Sequence, residues 1–396
     1  MSASSSTNVA APSVAAALLP IMTTVFIAFL IIGLALPTLP LHVHDDLGLG
    51  GFAVGLVAGS QFAASLVSRI WAGDFADGRG AKRAVVMGLA AAAVAGLFYL
   101  ASLAFKDNPP LSASILLLGR AVLGGAESFI ITGAVSWGLA LGGAANTGKV
   151  IAWIGMAMYA AFAIGAPLGG SLYDAYGFLA IAIATAVVPL MTLLVVAPLK
   201  PVAPQRRAPS SVRTVLGAIW MPGIGLAMAS FGFGAMMTFA SLLFAERGWE
   251  PVWLGVSAFA VSFIIARMFF SHLTDRLGGA RVALACLLVE AAGLALIWLA
   301  PSEAMALTGA ILTGFGYSLV YPGFGVEAVR RAPAESRGLA MGTYTAFLDL
   351  ALGLASPALG LLAGQAGTGR VFLVSALVVV LASAVALWLR RHPASA

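Results

Sequence analysis

Long apolar runs alternate with short polar breaks along this chain, and the breaks gather charges, prolines and glycines. A helix needs about 20 apolar residues to cross a bilayer. Twelve such runs are predicted, near 14–41, 52–76, 84–105, 111–140, 149–173, 178–199, 214–244, 253–274, 282–300, 303–326, 338–364 and 370–390. The opening segment MSASSSTNVAAPS lacks Lys and Arg, and the run behind it is too long for a signal-peptide core. It reads as a short tail leading directly into the first span.

The polar breaks repeat. GDFADGRGAKR at 73–83 and SHLTDRLGGAR at 271–281 share their spacing, and their aspartates, Asp77 and Asp275, stand 198 positions apart in a chain of 396. Arg69 and Arg267 each precede those aspartates by eight residues. GRAVLGGAESF at 119–129 matches GAILTGFGYSL at 309–319 in its small residues, and Pro167 and Pro357 fall at corresponding places in the fifth and eleventh spans. Between the copies lies KPVAPQRRAPSSVR, a Pro-rich basic stretch of the kind that joins two bodies. The expected organisation is a six-helix bundle over 1–199, a cytoplasmic linker over 200–213 and a second six-helix bundle over 214–396. Parallel repeats of this sort build secondary transporters, with the substrate site between the halves near mid-membrane.

Composition sharpens the picture. Hydrophobic residues make up 61% of the chain and charged ones 9%, against about 25% charged in a soluble protein, so the apolar surplus must face lipid. The fold class is therefore an all-α integral membrane protein with twelve transmembrane helices in two pseudo-symmetric bundles. One cysteine excludes a disulfide framework, and Cys286 in its apolar run reads as packing. The net charge of +6 does not indicate nucleic acid, because the basic residues sit in short loops. With the N-terminus inside, fifteen of them fall in inner loops or the C-terminal tail, and only Lys106, Arg247 and Arg370 fall outside. That bias places both termini in the cytoplasm of a multi-pass protein of the inner (plasma) membrane.

A charge at the bilayer centre costs about 2.5–3.5 kcal/mol even on the lenient insertion scale, so charges inside spans are informative. Arg120, Glu127, Glu290 and Asp349 lie well inside them. Arg120 and Glu127, seven apart, share one helix face about 10 Å apart along the axis, with Gly124 opening the same face. Ala121, Gly125, Ser128 and Thr132 form a small-residue packing stripe on that helix. Asp349 lies roughly 18 Å past the start of the eleventh span. It sits in a polar stripe with Gly342, Thr345, Gly353 and Ser356, so it faces protein or water. A carboxyl there can be neutral in one state and charged in another, as a proton carrier must be. The alternative is a structural ion pair with a buried arginine. Arg69 and Arg267, nearer the span ends, are expected to snorkel or pair locally, and Glu290 to make a contact with a neighbouring helix. In HVHDD, His42 and His44 admit a metal site, but Asp45 or Asp46 equally suits the start of the second span. No metal site is expected.

GDFADGRGAKR resembles the loop 2–3 signature of the major facilitator superfamily, and SHLTDRLGGAR its second copy. LLLGRAVLGGAES resembles the fourth-helix pattern with a buried Arg, and AIGAPLGGSL at 163–172 the antiporter motif of efflux members, here Gly165, Pro167, Gly169 and Gly170. LHVHDDLGLG, LVAGSQFAASLVSR and GTYTAFLDLALG are similar to YhhS-type bacterial efflux permeases. The chain departs from the signature at Gly78, where an Arg is usual, and at Ser271, where a Gly is usual. The resemblance implies a cytoplasmic gate of Gly73, Asp77, Arg83, Asp275 and Arg276. There Gly73 permits close helix approach and Asp77 accepts from the start of the eleventh span. It also implies a central cavity lined from the seventh and tenth spans, by Trp220, Phe233, Met237, Tyr317 and Tyr321. The implied function is proton-coupled export of small organic compounds, with Asp349, Glu127 and Arg120 in proton coupling, no cofactor, and a monomer in the bilayer. A proton-coupled importer of a sugar or organic acid is the alternative. A membrane-embedded enzyme is disfavoured by the absence of H-E-x-x-H spacing, and an ATP-driven pump by the absence of a phosphate loop.

Overall fold

The computed structural model describes residues 14–143, 146–203, 212–333 and 336–392, and the described residues are nearly all helical. In chain order the helices are α1 (Val14–Leu41), α2 (Gly51–Arg79), α3 (Ala81–Leu103), α4 (Pro109–Gly142), α5 (Thr147–Tyr176), α6 (Phe178–Val196), α7 (Val212–Arg247), α8 (Leu254–Phe270), the five-residue α9 (Leu273–Leu277), α10 (Gly279–Leu299), α11 (Glu303–Arg331), α12 (Arg337–Ala366) and α13 (Thr368–Arg391). Spans nine to twelve of the sequence are thus α10 to α13. Most of the linker lies outside the described residues. Among the described residues eleven helices are long and apolar enough to cross a membrane, while α8 has 17 residues. The expected eighth span ran to 274; the helix breaks at Ser271 and His272 and resumes as α9. The expectation that Asp45 or Asp46 starts α2 is also corrected. His42–Asp46 is a π-helical turn continuing α1, and α2 begins at Gly51 behind Gly50.

Prolines lie inside α1, α5, α6, α7, α11 and α12 without ending any of them, as helices packed in a membrane bundle tolerate. Tight joints fall at glycines with positive φ: Gly80 (102°) and Gly278 (87°) in one pair, Gly177 (66°) and Gly367 (89°) in the other. These pairs occupy corresponding places in the two halves, and a side chain would be strained at each.

Packing repeats the same way. On one side α3 packs on α4 and α6, α2 on α4, and α1 on α5; on the other α10 packs on α11 and α13, α8 on α11, and α7 on α12. The halves meet along α2 against α12, α5 against α8, and α1 against α7. At three glycines of α2 the α2–α12 seam brings backbone close to backbone. A Cβ at Gly55 would stand 2.1 Å from the Ser356 carbonyl oxygen, one at Gly51 2.8 Å from that of Gly360, and one at Gly59 3.1 Å from that of Gly353. Bulky apolar side chains such as Leu97, Leu190, Leu194, Phe269 and Leu354 are exposed around the perimeter, as a lipid-facing belt requires.

Candidate functional site

On α2, Gln61, Ser65 and Arg69 recur at every fourth residue and so present one face. That face meets α4 and α12 together. Gln61 Nε2 donates to Glu127 Oε2 at 2.7 Å, and the Ser128 hydroxyl donates to the Ser65 carbonyl at 2.9 Å. The close approach follows from Gly124, where a Cβ would stand 1.9 Å from the Gln61 carbonyl oxygen. Arg69 Nε donates to Asp349 Oδ2 at 2.8 Å, and Nη2 donates to the same oxygen. Asp349 is 3% exposed and the pair bridges the two halves of the molecule. Among the described residues Glu127 forms no ion pair.

The structure therefore brings Glu127 and Asp349 to one cluster, around a residue that sequence reasoning did not place there. Arg69 was expected to snorkel or pair locally; it reaches a partner 280 positions away. The four-residue polar spacing on α2 was the available signal. Arg120 lies apart from the cluster and is buried: its Nη1 donates to the Tyr99 hydroxyl at 3.3 Å, and its Nε has no partner among the described residues. Its side chain borders a narrow void shared with Leu36, Phe62, Met237 and Thr238, between α1, α2, α4 and α7.

The expected cavity residues divide. Phe233 and Tyr317 stack at 5.1 Å, with Tyr317 and Ser230 hydroxyls 3.3 Å apart. The Tyr321 hydroxyl meets Thr345 at 2.7 Å on the polar stripe of α12. Met237 is buried beside the Arg120 void, whereas Trp220 is 48% exposed. In the antiporter segment, Cβ atoms at Gly165 and Gly169 would stand 2.7 and 2.1 Å from α1 backbone, and one at Gly170 1.9 Å from the Trp253 ring, so these glycines fit α5 against α1 and the other half. Pro167 accepts a bond at its carbonyl from Ser171 at 2.9 Å.

At the gate segment, Gly73 meets nothing within 4 Å among the described residues, so the close approach expected there is not made; it falls instead at Gly51, Gly55 and Gly59. Asp77 is half-buried on the last turns of α2 and is not without a partner. Arg83 lies in the first turn of α3 and Arg276 is exposed on α9; the Asp275 side chain lies outside the described residues. Lys82, which sequence reasoning passed over, donates to the Ala197 and Leu199 carbonyls at 2.7 Å each and ties the α2–α3 turn to the end of α6. In the former metal candidate, His42 Nδ1 and Asp46 lie 2.7 Å apart, Tyr173 donates to Asp46 at 3.0 Å, and His42 stacks on Phe178 at 4.0 Å. Glu290 is fully buried against Gly232 of α7.

Residues 21–263 and 253–396 match the family model of the Major Facilitator Superfamily. An uncharacterized MFS-type transporter of Salmonella typhimurium is 43% identical over 373 residues, 94% of this chain and 96% of that protein. The uncharacterized MFS-type transporter YhhS of Escherichia coli K12 is 39% identical over 368 residues, 93% of this chain and 91% of its own. Among solved structures, a D-xylose-proton symporter aligns with a TM-score of 0.76 at 12% identity, over 93% of this chain and 97% of that one. At that identity the likeness is one of fold.

Proposed function

Because the chain belongs to the major facilitator superfamily, and is a membrane transporter rather than an enzyme, we propose that it exports small organic compounds in exchange for protons by alternating access. The observation that carries this reading is the cluster at the α2–α12 seam, where an acid of one half is held by an arginine of the other and a second acid stands beside them. Alternating access requires the halves to rock about such a seam. Proton arrival at Asp349 removes the charge that holds Arg69, so protonation state and seam contact become one variable. Glu127 is held by a neutral amide, and it can accept or release a proton without parting an ion pair. In this reading Glu127 loads the proton, Asp349 converts it into movement, and Arg120 faces the substrate path.

The remaining assignments follow the same reading. The bundles are 1–199 and 214–396, joined by 200–213, with both termini in the cytoplasm of a bacterial inner membrane, as the bias of basic residues favours. Asp77 and Arg83, with Asp275 and Arg276 in the second copy, latch the cytoplasmic side. Phe233, Met237, Tyr317 and Tyr321 supply apolar surface to the substrate. The glycines of the antiporter segment favour export, and the chain works as a monomer.

The test is proton flux driven by solute. The purified chain is reconstituted with a pH-sensitive dye in the vesicle lumen, and a panel of small organic compounds is added under no imposed voltage. A substrate should move the lumenal pH in the wild type, and Glu127→Gln should abolish that flux while substrate still exchanges. A compound that is concentrated with no accompanying pH change refutes the proton-coupled reading.

A further inference from the structure

Each half carries a related arginine on a seam, but among the described residues only one of the two pairs with an acid. Arg69 and Arg267 hold matching places in the repeat. Helices α5 and α12 are each 30 residues long, and Tyr159 and Asp349 both stand twelve residues past the first. The fold thus sets up the same encounter twice: an arginine of α2 or α8 against the equivalent position of the facing helix. On the α2–α12 seam it is Arg69 on Asp349. On the α5–α8 seam the guanidinium of Arg267 lies over the Tyr159 ring, with its carbon 5.6 Å from the centroid, and 5.0 Å from that of Phe263.

Arg267 has little else. Among the described residues its Nη2 donates to the Ser318 carbonyl at 2.6 Å, its Nε is buried without a partner, and it takes part in no ion pair. A guanidinium carries five donors and keeps its charge at any working pH. Tyr159 and Phe263, with rings 4.0 Å apart, and Tyr317 beyond Phe263 at 6.1 Å, surround it with aromatic faces and no carboxylate. The acids of the other seam are already engaged, Asp349 by Arg69 and Glu127 by Gln61. A cation kept inside a membrane protein without a counter-charge is costly, and the cost is offset when an anion arrives.

We propose that Arg267 is the recognition point for the carboxylate of an organic anion whose apolar body lies against Tyr159, Phe263 and Tyr317. The site sits between the halves, where a rocking motion exposes it to each side in turn, and it rests on the alternating-access reading given above. A carboxylate seated there accepts the free donors of Arg267 and gives the second seam the ion pair that the first has built in. Substrate entry then does at α5–α8 what Asp349 does permanently at α2–α12.

Purified full-length protein is titrated with benzoate, phenylacetate and hexanoate and with the matching neutral amides, and binding is followed by thermal shift. At least one carboxylate should bind about tenfold or more tightly than its amide, the margin expected of a charge-assisted hydrogen bond. Arg267→Gln should erase that preference, and Arg267→Lys should keep part of it. Without ligand, Arg69→Gln should lower the melting midpoint, and Arg267→Gln should leave it level or raise it. The proposal is overturned if no carboxylate is preferred, if Arg267→Gln keeps the preference, or if Arg267→Gln destabilises the empty protein as much as Arg69→Gln does. Carboxylate preference without proton flux would sink the coupling but keep the anion site; proton-coupled movement of compounds with no such preference would do the reverse.

Discussion

Removing the charge that joins the halves should be measurable as a pairwise energy. The perturbation is a double-mutant cycle of Arg69→Gln and Asp349→Asn, each of which removes a charge and leaves a neutral amide. At about 4 Å and an effective dielectric near 20, two unit charges attract by about 4 kcal/mol. Two features of the pair reduce this. The Arg69 side chain is 18% exposed, and its Nε and Nη2 converge on Oδ2 alone, so the two-oxygen fork of the strongest arginine–carboxylate pairs is not formed. A coupling of about 2 kcal/mol remains, within the range found for residues in direct contact. Each single variant should cost somewhat more, because it strands a charge, and the double variant should cost less than their sum. Unfolding of the purified protein by titration into dodecyl sulfate supplies the four free energies. A coupling below about 0.5 kcal/mol would refute the inference that this pair holds the seam.

Three further outcomes are expected. Arg120→Ala should abolish transport in vesicles while leaving expression near normal, since its one side-chain bond among the described residues is a long one to Tyr99; aggregation of the variant would make Arg120 a structural residue. Asp77→Asn should raise the labelling of cysteines placed on the cytoplasmic side, and unchanged labelling would count against the latch. Gly55→Ala should destabilise the protein by about 1–3 kcal/mol in the same dodecyl sulfate titration, because the added methyl meets the Ser356 carbonyl at 2.1 Å, and an unaffected variant would show that α12 yields there.

Much of this architecture was legible in the chain because membrane burial writes long, one-sided signals. The apolar runs, the 198-residue offset of the aspartates and the isolation of Arg120, Glu127 and Asp349 within spans all survive translation into helices. What was not legible depends on how helices from different halves lie on one another. The charge of Arg69 looked peripheral because its depth was counted along α2 alone, whereas its partner is fixed by the register of α12 against that helix. The reading of Gly73 as a contact point failed for the same reason: small residues mark where a helix is able to approach another, and several places on α2 qualify. Asp45 or Asp46 was read as the start of the second span because acids suit a helix N-terminus, yet the turn continues α1 and stacks His42 on Phe178.

The glycine seam bears on how fast the molecule is able to move. Interfaces built of interlocking side chains resist sliding, since each knob must leave its hole and choose a new rotamer before the surfaces advance. Where Gly51, Gly55 and Gly59 lie on Gly353, Ser356 and Gly360, a Cβ at each would stand within about 3 Å of a main-chain carbonyl oxygen, a group with no rotamers to choose. Such a joint is smooth in the mechanical sense: displacement along it meets little internal friction. The barrier between states is then set less by the bearing than by the charges mounted beside it.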